Sequence, residues 1–231
     1  MRYEFDVLFD KITSLDSPGY SDKEVSVFLT KAQDIFIKSG YNPFSSIEQN
    51  DRRRREFVEL KKNYTTSTPS TTQTGVNPNG YFFDLPSDFM LPLKEEVTIA
   101  SSNDCTNGTR IPIRVITEDE YTIQLYNPFK RPEAKGLSTD FAWRLDFSQS
   151  GNKRIELISD GTFTFNTYHL RYLKQAQDII PTGDGTTLIQ QDCELDPLSH
   201  REIVDMAVRI ASGATASQEY QIKVNEERIN N

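Results

Sequence analysis

The apolar positions of the chain change their period twice, from helical spacing to alternation and back to helical spacing. Over residues 3 to 13, Phe5, Leu8, Phe9 and Ile12 fall on one helical face, and Ser17-Pro18-Gly19 ends the element in a turn. A second helix is predicted from Ser21, whose hydroxyl can cap the free N–H groups while Glu24 reaches back from three residues on. Val25, Phe28, Leu29, Ala32, Ile35 and Phe36 then recur at spacings of three and four, and the stripe stops at Gly40, beside Asn42-Pro43. A third helix is predicted over residues 46–63, with Phe57 and Leu60 turned inward and a highly charged middle from Asp51 to Arg55.

From Thr65 to Thr74 nearly every residue is Thr, Ser, Pro or Gln, a composition that buries little apolar area and reads as an extended loop or linker. Beyond it come short aromatic and β-branched runs separated by Pro, Gly, Asn and Asp, which is a strand pattern. The predicted strands are residues 81–84, 96–100, 111–117, 143–147, 154–158 and 162–172. In the last of these Phe163 and Phe165 alternate with Thr162, Thr164 and Asn166. After Pro181 and a Gly-Asp-Gly turn, Asp196-Pro197 opens a final helix in which Ile203, Val204, Ala207, Val208 and Ile210 form an apolar stripe. From Ser217 onward the pattern predicts a weaker helix, one that could depend on assembly for its order.

The expected fold is α+β: an N-terminal helical bundle, a central antiparallel β domain, and C-terminal helices packing back on the bundle. The expected regions are 1–64 (helical), 65–80 (linker or loop), 81–180 (β domain) and 181–231 (helical).

Composition adds a polar surface to this picture. The 231 residues are 36% hydrophobic and 11% aromatic, and mean hydropathy is -0.58. A formal net charge of -8 and a pI near 4.9 repel nucleic acid, so any DNA contact must be local or weak. The charged, alternating start of the chain has no signal-peptide apolar region, and no apolar run approaches the roughly 20 residues of a membrane helix. A soluble protein made in the cytoplasm is expected. Cys105 and Cys193 match no metal-ligand spacing and read as free thiols in a reducing compartment, with a disulfide as the alternative.

Candidate chemistry is sparse. Nucleophilic catalysis needs a base beside the nucleophile, and His169 and His200, the two histidines, sit in no recognisable motif. His169 reads as an ordinary strand residue and His200 as part of a first helical turn. The pairs Glu95-Glu96, Glu118-Asp119-Glu120 and Glu226-Glu227 read as solvated surface before they read as acid–base or cation sites. Gly183-Asp184-Gly185 lacks the context of a phosphate loop. No enzyme activity and no cofactor are expected.

One charge feature stands apart, the run Arg52, Arg53, Arg54 and Arg55. Successive helical residues point around the axis, so the four cannot make one flat DNA-reading face. They suit a solvated helix with local Glu pairs, an acidic protein partner held by bidentate contacts, or nucleic acid. The Thr65–Thr74 segment and the loop Asn127–Leu137, which carries Lys130 and Arg131, also suit partner contacts, and the latter equally suits a plain strand connection.

Several phrases spanning most of the chain carry a resemblance: Tyr20-Ser21-Asp22-Lys23-Glu24-Val25 with the helix that follows, Asp51 to Phe57, Leu85-Pro86-Ser87-Asp88-Phe89, Tyr126 to Pro132, Trp143-Arg144-Leu145, and Tyr168 to Lys174. Together they resemble the head-to-tail adaptor or ring proteins of short-tailed bacteriophages, and most closely the ring proteins of crAss-like phages. That resemblance implies a structural virion protein assembled in the host bacterial cytoplasm. It would form a homo-oligomeric ring, commonly a dodecamer, beneath the portal protein, in contact with other tail and ring proteins and around a channel for DNA. DNA would be weakly contacted cargo, and no membrane would be involved. The alternative is a tail-associated carbohydrate or receptor-binding module, whose Tyr121, Tyr126 or Trp143 would have to line a groove.

Overall fold

The computed structural model describes residues 1–12, 19–40, 57–67, 75–102, 105–135, 140–149, 152–181 and 189–214. They fall into two compact units, a helical one (1–60 with 176–231) and a β one (61–175).

The helical unit holds α1 (Arg2–Ile12), α2 (Asp22–Gly40) and α4 (Pro197–Ala214). The predicted capping box of α2 is present: Ser21 N–H donates to Glu24 Oε2 at 2.8 Å, and Glu24 N–H approaches Ser21 Oγ at 3.4 Å. Two of the orphan donors at the helix start are satisfied in this way. Val25, Leu29, Ala32 and Phe36 are buried as expected, but Ile35 is exposed and Gln33 and Ile37 are buried in its place. The reason is a polar contact: Gln33 Nε2 donates to the Gln177 carbonyl at 2.9 Å, so the buried face of α2 is shared with the segment that follows the β unit. Ile203, Val204, Ala207, Val208 and Ala211 of α4 are buried, and Tyr20 Oη donates to the Ala211 carbonyl at 3.0 Å. Asp196 caps α4 through Leu198 N–H at 2.9 Å, with Pro197 in the first helical position, where no N–H is needed.

The predicted third helix does not extend to residue 63. Val58–Leu60 is a single 3-10 turn, and Lys61–Ser67 is a strand, β1, that pairs antiparallel with β7 (Phe163–Lys174) from Lys61↔Leu173 to Ser67↔Thr167. The polar run read as a linker therefore begins as an edge strand, because its backbone groups find partners on β7 that its side chains do not advertise.

The β unit continues with β2 (Gly80–Asp84), β3 (Phe89–Ser101), β4 (Arg110–Val115), α3 (Glu118–Leu125), β5 (Ala142–Gln149), β6 (Asn152–Ile158) and β7 (Phe163–Lys174). The strand order is β1-β7-β3-β4-β5-β6-β2. All six predicted strands are present. The sheet is mixed, however, where an antiparallel one was expected, since β4 and β5 run parallel. Parallel neighbours need a crossover, and the chain supplies it with α3 and the segment after it.

Residues on the two faces of β5 pack into separate clusters. Ala142 joins Phe83, Val97, Ile99, Ile155, Leu157, Phe163, Phe165 and Tyr168, whereas Trp143 and Leu145 join Ile116, Phe141 and Ile158. Tyr121 of α3 lies over the second cluster, with its ring edge-on to Trp143 at 5.9 Å.

Candidate assembly interface

The α3 crossover is the most partner-ready part of the described surface. No residue of α3 is buried. Ile123 is 74% exposed, Tyr126 76% and Phe129 93%, and Leu125 is 36% exposed. Single exposed apolar side chains are ordinary, but four within seven residues are a concentration of the kind found at interaction sites.

The patch is fixed in shape. Tyr121 anchors α3 on Trp143, and Pro132 is buried where the crossover rejoins the sheet. In between, Phe129 N–H donates to Asn127 Oδ1 at 3.0 Å, Lys130 N–H to the Asn127 carbonyl at 3.1 Å, and Arg131 Nε to the Leu125 carbonyl at 2.8 Å. Lys130 and Arg131 are both exposed, directly beside Phe129. Of the sequence-predicted partner residues, these two fall on the projection. Arg52, Arg53, Arg54 and Arg55 lie outside the described residues, as does most of the Thr-rich segment. Ile123 was not singled out from the sequence, although an isoleucine on a helix with no apolar stripe was the available signal.

On the face of β5 opposite Trp143, Arg144 belongs to a buried polar cluster. Arg144 on β5 pairs with Glu95 on β3 and, at 3.1 Å through Nε, with Asp146; Tyr168 on β7 donates its hydroxyl to the other Glu95 oxygen. Burial works against the Arg144 charge, but the Glu95 and Asp146 carboxylates outweigh it and hold the guanidinium above its ordinary pKa. Burial first, and the Glu95 charge second, push the Tyr168 phenol up. On β6, buried Glu156 accepts from Asn77 N–H at 2.7 Å and from Asn77 Nδ2 at 2.9 Å, which clamps the turn leading into β2. Gly75 and Gly80 lie against this carboxylate, and a Cβ at either would collide with it.

A second surface is polar. Across β1, β7, β3 and β4, Asn63, Thr65, Lys94, Glu96, Arg110, His169 and Arg171 line a hollow of about 300 Å³. Thr98 Oγ1 and His169 Nε2 are 2.9 Å apart there, and burial, followed by the Arg110 charge, lowers the His169 pKa. His200 Nε2 lies 2.9 Å from the Leu195 carbonyl. Among the described residues, no group of three His, Cys, Asp or Glu could hold a metal ion, and no helix is long and apolar enough to cross a membrane.

Charge is divided between the units. The helical unit contains 13 Lys and Arg against 21 Asp and Glu, whereas the β unit contains 13 of each. The acidic excess therefore belongs to the helical unit alone.

The exposed apolar run of residues 123–129 thus lies on one unit and the acidic excess on the other. A family model described as phage tail ring protein 3/4 matches residues 1–223. The chain is 32% identical to Ring protein 4/5 of Bacteroides phage crAss001 over 229 residues, covering 91% of this chain and 90% of that protein. It is also 32% identical to Ring protein 3 of the same phage over 200 residues, covering 81% and 83%. The chain belongs to the phage tail ring protein 3/4 family, the crAss-like group that its sequence phrases resemble, and its role is that of a structural ring subunit of a phage tail.

Proposed function

We propose that this protein forms a closed homo-oligomeric ring, dodecameric in the intact particle, which docks on the portal protein directly or through other ring proteins and surrounds the path of the DNA. The observation that carries this reading is the presence of two unlike contact surfaces on one chain. Cyclic rings close through head-to-tail contacts, which need two different, complementary faces per subunit. The apolar and basic projection of the β unit and the acidic helical unit meet that need.

An acidic wall also suits a conduit, since it repels the DNA backbone and lets it slide. Arg52, Arg53, Arg54 and Arg55 remain proposed contacts for an acidic neighbour, and Lys130 and Arg131 serve the same purpose on the projection. The ring belongs to the virion and assembles in the host cytoplasm. The carbohydrate-module reading loses its aromatic groove: Trp143 is 1% exposed and Tyr121 is packed against it, which leaves Tyr126 alone of the three in solvent.

Negative-stain imaging of the purified chain, alone and mixed with the phage's portal and other ring proteins, tests the proposal. Rings with a central hole are expected, at least in the mixed sample. A monomer in every mixture that binds glycans instead would replace this reading with the receptor module.

A further inference from the structure

We propose that the α3 crossover is the plug of the subunit contact: Phe129, with Tyr126 and Ile123, packs on the helical unit of a second copy of this chain. This inference rests on the ring reading above and assigns the contact to particular residues.

Three observations select the occupant. First, the crossover carries its apolar residues in a held conformation. Hydrogen bonds to Asn127 and Leu125 fix residues 125–131 while Phe129 stays 93% exposed, so docking it loses little conformational freedom.

Second, charge selects among the surfaces a second copy offers. Lys130 and Arg131 flank Phe129, and the helical unit carries the whole net charge of -8 while the β unit carries none. A basic tip is drawn more strongly to the helical unit than to a β unit whose charges balance.

Third, the helical unit has a receptor of suitable chemistry. An apolar hollow of about 250 Å³ between α1 and α4 is lined by Tyr3, Val7, Leu8 and Val204, with Glu4 and Arg201 also in its lining. Tyr3 is 80% exposed and Glu4 is exposed, so an aromatic ring can enter the hollow while a cation beside it meets the Glu4 carboxylate. Plug and hollow are different surfaces of one chain. Their contact is therefore heterologous, the kind of contact from which a cyclic ring is built when the rotation it imposes closes.

The test uses the full chain together with the portal and other ring proteins, in two measurements. A photo-crosslinking amino acid at position 129 should give covalent dimers of this chain whose linked peptides come from α1 or α4 of the other copy. Linkage to the β unit, or to a different tail protein, overturns the proposal. In native mass spectrometry, Y126S/F129S should lower self-association by about tenfold or more, and K130E/R131E should also weaken it. Added to K130E/R131E, Glu4→Lys should restore part of the loss.

Tyr126, Phe129, Lys130, Arg131 and Glu4 are all exposed, so these variants should keep the wild-type circular dichroism and melting temperature. Rings that form as in the wild type despite Y126S/F129S would overturn the plug and leave the ring reading standing. Rings that form but no longer bind the portal would reassign the projection to a different partner. A wild-type chain that makes no ring in any mixture overturns both.

Discussion

Arg144 stands in the run Phe141-Ala142-Trp143-Arg144-Leu145, where strand alternation alone would place an apolar residue on the inner face. The structure explains it through Glu95 and Tyr168, which reach the same buried point from β3 and β7. Removing Glu95 leaves the buried Arg144 charge with only the solvent-exposed Asp146 beside it. Glu95→Leu should therefore destabilise the β unit by about 3–5 kcal/mol, readable as a lower urea midpoint. Replacing Glu95, Arg144 and Tyr168 together with apolar residues should cost much less than Glu95→Leu alone.

The tyrosines of the same strand predict an alkaline limit. Burial, aided by the bond to Asp88, pushes Tyr172 up to about 12, and Tyr168 moves in the same direction. A folded-state pKa above the unfolded value contributes stability that is present below about 10 and is lost as pH rises through the folded value. Denaturation midpoints should therefore fall between pH of about 10 and about 12. Tyr172→Phe should flatten part of that fall, and tyrosinate absorbance should appear together with unfolding.

At the level of elements, local signals were legible and distant ones were not. The start of α2 follows from Ser21 and Glu24, three residues apart, and the start of α4 from Asp196-Pro197. Asp196→Ala should lower the stability of the helical unit by about 1 kcal/mol, measured as a shift of its melting transition.

The six predicted strands announced themselves by alternation of aromatic and β-branched residues with polar ones. β1 did not, because Lys61-Lys62-Asn63-Tyr64-Thr65-Thr66-Ser67 is a polar edge strand whose partner is more than 100 residues away. α3 also left no periodic trace, since a helix that buries none of its own side chains needs no apolar stripe. With α3 unread, the parallel pairing of β4 and β5 that it makes possible was unread too. Of the candidate interface, the basic and proline-rich loop was visible as Lys130 and Arg131. The exposure of Ile123 and Phe129 was not, because sequence alone does not tell an exposed phenylalanine from a buried one.

For the whole molecule, family membership and surface design point the same way. The chain aligns with two ring proteins of one phage over most of its length. Its net charge is confined to one unit, and a run of exposed apolar residues, Ile123, Leu125, Tyr126 and Phe129, lies on the other. If the basic tip meets the acidic unit of a neighbour, assembly should weaken as salt screens the attraction. Sedimentation of the purified chain at about 0.05 M and at about 0.5 M salt should show a smaller assembled fraction at the higher concentration. A contact driven by apolar burial alone would hold or strengthen.

The central claim is that copies of this chain close head to tail around the tail axis. A cryo-EM reconstruction of the intact tail tests it most directly. The account predicts this chain as a continuous, closed ring encircling the DNA path, with each subunit touching its neighbours through unlike surfaces. Density for the chain as separate appendages on the outside of the tail, with no contact between copies, would contradict it.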